Sequence, residues 1–161
     1  MQSSIYKWFL ACRPKTLSGA IIPVMVASAC AYSDNILNWQ ISLLCILFAC
    51  GMQISSNLIN DLFDFLKGTD RQDRLGPKRA CAQGWISVSA MKKGIAISIA
   101  LSVIVGLGIL YLAAGYVKYC GIELVAVGAL CVLFAYLYTS ILSYKGAGDI
   151  LVLVFFGIVP V

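Results

Sequence analysis

The stretch that decides the fold is Ile41-Ser42-Leu43-Leu44-Cys45-Ile46-Leu47-Phe48-Ala49-Cys50-Gly51-Met52-Gln53-Ile54-Ser55-Ser56-Asn57-Leu58-Ile59-Asn60-Asp61-Leu62-Phe63-Asp64. Its first half is apolar and long enough to be most of a membrane-spanning helix. Its second half carries Asn57, Asn60, Asp61 and Asp64 at i, i+3, i+4 and i+7. If the helix continues through them, that spacing gathers all four side chains on one face over two turns. Carboxylate and amide oxygens stacked in this way suit a hard cation such as magnesium. Two neighbouring carboxylates repel each other, and a charge at the bilayer centre costs roughly 2.5–3.5 kcal/mol, less near the interface. A bound divalent cation offsets both penalties. The bland alternative is a solvated helix end with fortuitous spacing.

Outward from this stretch the chain remains apolar. Of its 161 residues 61% are hydrophobic and 12% charged, and the mean hydropathy is +0.91. A soluble domain of this size needs far less apolar surface. The apolar runs exceed the short alternating strands of a membrane barrel, so the fold class is all-α, a polytopic transmembrane helical bundle. The formal charge of +5 therefore reads as topology plus an anionic ligand, not as nucleic-acid binding. No histidine is present, which excludes imidazole bases and imidazole metal ligands. The seven cysteines form no Cys-x-x-Cys pair and read as small apolar residues in packed helices.

Four complete spans and the start of a fifth are expected. Residues 1–16, with Lys7, Arg13, Lys15, Tyr6 and Trp8, resemble an interfacial amphipathic segment. An uncleaved first span follows from about Leu17 to Tyr32, with Pro23 as a kink. Ser33-Asp34-Asn35 is a turn, and the second span runs from about Trp39 into the polar stripe. Residues 66–93 form a loop with seven basic residues, broken by Gly68, Gly76-Pro77 and Gly84. Ser87 or Ser89 is the expected cap of the next helix, whose span covers about Gly94 to Ala114. Gly106 and Gly108 there favour close helix approach. Gly115 to Gly121 is a turn, the fourth span covers about Ile122 to Leu142, and Ser143 to Asp149 is a second polar loop. Every Lys and Arg except Lys118 then falls on one side, which the positive-inside rule assigns to the cytoplasm of a cell inner membrane. From Ile150 only about a dozen residues remain, roughly 18 Å of helix, too short to cross. Residues 1–161 are thus expected to be one membrane-embedded domain, C-terminally incomplete, with the remaining helices on a longer product or on another chain.

The acidic face opens onto the basic loop. A cation held by carboxylates keeps positions for phosphate oxygens, and nearby Lys and Arg bind the same anion. Neutralising a leaving diphosphate needs this arrangement, and span walls suit a hydrocarbon tail. The residues by themselves suggest an enzyme acting on a lipid diphosphate; the plainer reading of the basic loop is topology alone.

The run Asn60-Asp61-Leu62-Phe63-Asp64-Phe65-Leu66-Lys67-Gly68-Thr69-Asp70 resembles the first aspartate-rich motif of the UbiA-type intramembrane prenyltransferases. It is most similar to the branch acting on 1,4-dihydroxy-2-naphthoate in menaquinone synthesis, whose motif reads Asn-Asp-x-x-Asp-Phe-x-Lys-Gly-x-Asp. Arg13-Pro14-Lys15-Thr16-Leu17 with Pro23 resembles that family's entry to its first helix. Arg74, Gly76-Pro77, Arg79 and Gly84-Trp85-Ile86-Ser87 resemble its following loop, and Tyr144-Lys145-Gly146-Ala147-Gly148-Asp149 with Phe155-Phe156-Gly157 its later one. The resemblance implies about nine helices around a cavity and a magnesium-dependent transfer of a polyprenyl group from its diphosphate to an aromatic acid, here with loss of carbon dioxide. It implies Asn60, Asp64 and Asp70 as the catalytic, metal-holding set, with Asp61 as a further metal ligand. Asn57, Asp61 and Asp149 are supporting residues in this reading. Lys67, Arg71, Arg74, Arg79 and Lys145 are candidates for the diphosphate oxygens. Two features depart from the family. No acidic residue follows Asp149, so the second aspartate-rich motif is absent, and Tyr138 to Tyr144 lacks the expected Gly-Pro. Alternatives are another acceptor such as 4-hydroxybenzoate, a non-catalytic membrane subunit, or an ion-binding transporter fragment.

Overall fold

The computed structural model describes residues 3–68 and 79–114, and helical positions 122, 125, 126, 128–130 and 133. The described residues are all-helical, as the hydropathy requires. Helix α1 (Ser4–Ala11) leads through a 3-10 turn (Pro14–Thr16) into α2 (Leu17–Ser33), followed by α3 (Trp39–Leu66) and α4 (Val88–Ala113). Three segments are long and apolar enough to cross a membrane: Ser4–Ser33, Trp39–Leu66 and Val88–Ala113. They match the first three expected spans. The isolated helical positions fall within the expected fourth span, but the rest of that span, the Gly115–Gly121 turn, the second polar loop and residues 150–161 lie outside the described residues.

Each boundary has a local cause. Ser3 caps α1 by accepting from the Tyr6 amide. The helix stops at Cys12 because Arg13, at φ 50°, precedes Pro14, and a residue before proline is disfavoured in the α region. Asn38 caps α3 through two bonds to its Oδ1, from the Gln40 and Ile41 amides at 3.0 and 3.2 Å. Of the two candidate serine caps, Ser87 fills the role by accepting from the Ala90 amide. Helix α4 consequently starts before Gly94. Lys92 and Lys93 ride its second turn and are not loop residues, because the cap and the apolar pattern outweigh their charge. Gly68 and Gly84 take φ 66° and 65°, closing α3 and the turn before α4.

Helix α3 is 28 residues long. At 1.5 Å per residue it extends about 42 Å, well beyond a hydrocarbon core of about 30 Å. The surplus lies at one end, where Asn57 to Leu66 carry the polar stripe. Helices α3 and α4 form an antiparallel hairpin. Gly51 backs so closely onto Ser102 that an added Cβ would overlap its Oγ. Ser55 and Ser98 hydroxyls meet at 2.8 Å, and Ser98 also donates to the Gly51 carbonyl at 3.3 Å. Small residues let two backbones approach where lipid supplies no hydrophobic drive between helices. Gly106 and Gly108 receive side chains in the same seam: an added Cβ would stand 3.3 Å from Phe48 and 3.5 Å from Leu44.

The tightest core is not in the middle of this hairpin. It sits at the polar end of α3, where Ala11, Leu58, Leu62, Ala80, Cys81, Ile86 and Met91 pack together with Trp8 and Trp85 around them. Toward the other end, α4 exposes Ile97, Leu101, Ile104, Leu107 and Tyr111, as a lipid-facing helix should.

Candidate functional site

The polar stripe of α3 remains helical through Leu66, so its spacing holds in three dimensions. It divides into two rows with different environments. Asn57 and Asp61, one turn apart, are buried; Asn60 and Asp64, on the adjacent row, are half-buried.

Asn57 reaches across to the break between α1 and α2. Its Nδ2 donates to the Cys12 carbonyl at 2.9 Å and to Thr16 Oγ1 at 2.8 Å. Thr16 in turn donates to the Arg13 carbonyl. The amide thereby satisfies carbonyl and hydroxyl groups freed where the chain leaves helical geometry at Arg13. Asn57 thus fixes the basic entry segment to the end of α3.

Asp61 is 1% exposed. Its two carboxylate oxygens accept from two consecutive backbone amides, Oδ2 from Ala80 at 2.8 Å and Oδ1 from Cys81 at 3.0 Å. Those amides open a compact turn. The Gln83 amide donates to the Arg79 carbonyl, Gly84 to Cys81, and Trp85 to Ala80, at 2.9–3.0 Å. The first N–H groups of such a turn have no partner within it, and a carboxylate there gains both hydrogen bonds and the favourable end of the peptide dipoles. Two charge-assisted bonds from the backbone compensate the burial of this charge.

The turn presents Arg79 to the second row. The guanidinium Nη2 pairs with Asp64 Oδ2, and Arg79 is itself buried. Lys67, the C-cap of α3, stands over the Phe63 ring with Nζ 5.8 Å from its centroid. The end of α3 therefore collects Asn60, Asp64, Arg79 and Lys67 beside a basic segment. Asp70, Arg71, Arg74, Lys145 and Asp149 lie outside the described residues. An apolar groove lined by Met25, Leu37, Trp39, Leu43 and Ile46 lies at the opposite end of α3 and contains no titratable side chain.

A family model described as the UbiA prenyltransferase family matches residues 20–161. The chain belongs to that family. It is 36% identical over 157 residues to the 1,4-dihydroxy-2-naphthoate octaprenyltransferase of Escherichia coli, an alignment covering 93% of this chain and 49% of that protein. The proteins of the same name in Mycobacterium tuberculosis and Haemophilus influenzae are each 34% identical, over 99% and 96% of this chain and 53% and 51% of theirs. The chain spans about half the length of the curated relatives it matches. No solved structure matches it.

Membership of the UbiA family implies a divalent metal. Among the described residues no group of three or more His, Cys, Asp or Glu side chains is placed to hold a metal ion, while Asn60 and Asp64 offer oxygen donors of the kind a hard cation takes. Magnesium is bound in this way, through one or two carboxylates with waters and phosphate oxygens completing its shell.

Sequence reasoning placed Asn60, Asp64, Lys67 and Arg79 together but did not foresee how they are held. Nothing in the sequence marks Thr16 as the acceptor for Asn57. The amides of Ala80 and Cys81 have no side-chain signature at all, because every residue except proline offers the same N–H.

Proposed function

We propose that this chain is the diphosphate-binding front portion of an enzyme that transfers a polyprenyl group from its diphosphate to 1,4-dihydroxy-2-naphthoate, with loss of carbon dioxide, giving the reduced, quinol form of demethylmenaquinone. The observation that carries the reading is the cluster of Asn60, Asp64, Arg79 and Lys67 at the end of a spanning helix, in a chain similar along nearly its whole length to naphthoate octaprenyltransferases. By the positive-inside rule this end faces the cytoplasm of a bacterial inner membrane, as does the N-terminus.

Arg79 and Lys67 bind the diphosphate oxygens and orient the allylic carbon toward the membrane side of the site. Arg71, Arg74 and Lys145 belong to the same anion-binding set in this reading, with Asp149 supporting it. Asn60, Asp64 and Asp70 hold magnesium, which when bound supplies charge neutralisation to the leaving diphosphate. The C–O bond breaks with its electron pair remaining on diphosphate. The ring carbon bearing the carboxylate attacks the allylic cation, and carbon dioxide departs, leaving its bonding pair to the ring, which returns to the aromatic hydroquinone. Apolar spans accommodate the prenyl tail and keep water from the cation.

The test uses the full-length protein in lipid nanodiscs with octaprenyl diphosphate and, in turn, 1,4-dihydroxy-2-naphthoate and 4-hydroxybenzoate. The expected result is magnesium-dependent prenylation and release of carbon dioxide with the first acid only. Prenylation of 4-hydroxybenzoate alone would reassign the acceptor. Product formation in excess chelator would remove the metal from the mechanism.

A further inference from the structure

Asp61 lies within the motif that suggests metal ligands, yet its geometry suits another task. Its carboxylate is nine-tenths or more buried and takes two amides of a loop that is 19 and 20 residues further along the chain. The same turn is pinned from its other face: Ala80, Cys81 and Ile86 are 1%, 3% and 5% exposed and pack on Leu58, Leu62 and Met91. Arg79 immediately precedes the first clamped amide, and its side chain ends on Asp64, one turn of α3 beyond Asp61. The backbone of Arg79 is therefore fixed by one carboxylate while its guanidinium meets the next.

We propose that Asp61 is a positioning residue: by holding the Ala80 and Cys81 amides it sets Arg79 against Asp64, within reach of the diphosphate of the prenyl donor. This rests on the prenyl-diphosphate reading above. Arginine is rotamer-rich, and an unanchored one loses much of its binding advantage when it is ordered by a ligand. A guanidinium already placed by a clamped turn avoids that loss. A carboxylate is required because it only accepts. Asparagine at this position turns an NH2 group toward one of the two amides and satisfies the other alone.

The decisive experiment is a double-mutant cycle on the full chain in nanodiscs, reading affinity for farnesyl S-thiolodiphosphate, an unreactive analogue of a prenyl diphosphate, with magnesium present. Asp61→Asn is expected to weaken binding about tenfold, as for loss of one well-placed charge-assisted contact, and Arg79→Gln by at least as much. The double variant should bind no more weakly than Arg79→Gln alone, since Asp61 acts through Arg79. Losses that multiply, or an Asp61→Asn variant that binds as the unaltered protein does, would overturn the proposal while leaving the functional reading intact. Failure of the unaltered protein to bind the analogue would overturn both. Asp61→Glu keeps the charge and should show a smaller loss with the same dependence on Arg79; it carries the cycle if Asp61→Asn does not fold. Amide exchange gives an independent readout: without any ligand, Ala80 and Cys81 should exchange as slowly as the middle of α3. Fast exchange at those two amides in the unaltered protein would sink the clamp.

Discussion

The two halves of α3 show two ways of holding a membrane helix. From Trp39 to Ser56 it meets α4 through Gly51, Ser55, Ser98 and Ser102, with backbones close and hydroxyls bonded across the seam. From Asn57 to Asp64 it packs against α1, the 79–87 turn and the start of α4, and there it has a buried apolar core and buried polar groups together. In lipid, burying apolar surface gains little, so the first half depends on close contact. Near the interface water is available to be excluded, so the second half is held as a soluble protein is, by hydrophobic burial and satisfied polar groups. The candidate site residues sit on the second half, where charges can be both exposed to a polar ligand and fixed in place.

That contrast can be broken in stages. The largest effect is expected at Asp64. Asp64→Asn in the full-length protein should lower prenyl transfer by about 100-fold to 1000-fold, comparable with removing one preorganised charge-stabilising group. Its thermal stability should fall as well, because the buried Arg79 guanidinium loses its charged partner. Turnover within tenfold of the unaltered protein would remove Asp64 from the site.

The seam itself is next. Gly51→Leu drives a side chain into Ser102 and should destabilise the protein by about 3 kcal/mol, the upper end for overpacking, read as a lowered unfolding temperature in detergent. Gly19→Ala is the control on the same kind of helix: nothing lies within 4 Å of its added Cβ, so stability should hold or rise by about 0.5–1 kcal/mol. Similar losses in both variants would mean that close approach is not what holds α3 to α4.

In the polar half, Asn57→Ala removes two hydrogen bonds to the α1–α2 break and should cost about 1–3 kcal/mol. Protease cleavage near Arg13 should increase in parallel. The smallest change is expected for Ser55→Ala, about 0.6 kcal/mol, because Ser98 still reaches the Gly51 carbonyl. A loss of several kcal/mol there would place the serine contact, and not backbone proximity, at the centre of the seam.

Much of this was legible beforehand. Long apolar runs predicted the first three spans, the 57–64 spacing predicted a helix carrying a polar face, and Ser87 stood in a recognisable capping position. Residue types placed Asn57, Asn60, Asp61 and Asp64 on one helix face beside a basic loop, and the family resemblance alone singled out Asn60, Asp64, Lys67 and Arg79. The separate role of the inner row was not legible. Asn57 and Asp61 look the same in sequence as Asn60 and Asp64, and only burial separates a side chain that fastens the chain to itself from one that faces a ligand. Nothing in the sequence sets Gly51 apart from Gly106 and Gly108, although it makes the tighter approach.

The sequence by itself determined the elements: which segments must leave water, where the helices start and stop, and which residues bring charge to the end of α3. These follow from hydropathy, period and capping chemistry, which act over a few residues. Only the tertiary structure decided which donors meet which acceptors. The bonds from Ala80 and Cys81 to Asp61, from Asn57 to Cys12 and Thr16, and between Ser55 and Ser98 join positions 19 to 45 residues apart. Several of their partners are backbone groups that every residue type shares. A sequence cannot single out such a partner, because its identity is set by where the chain has been folded.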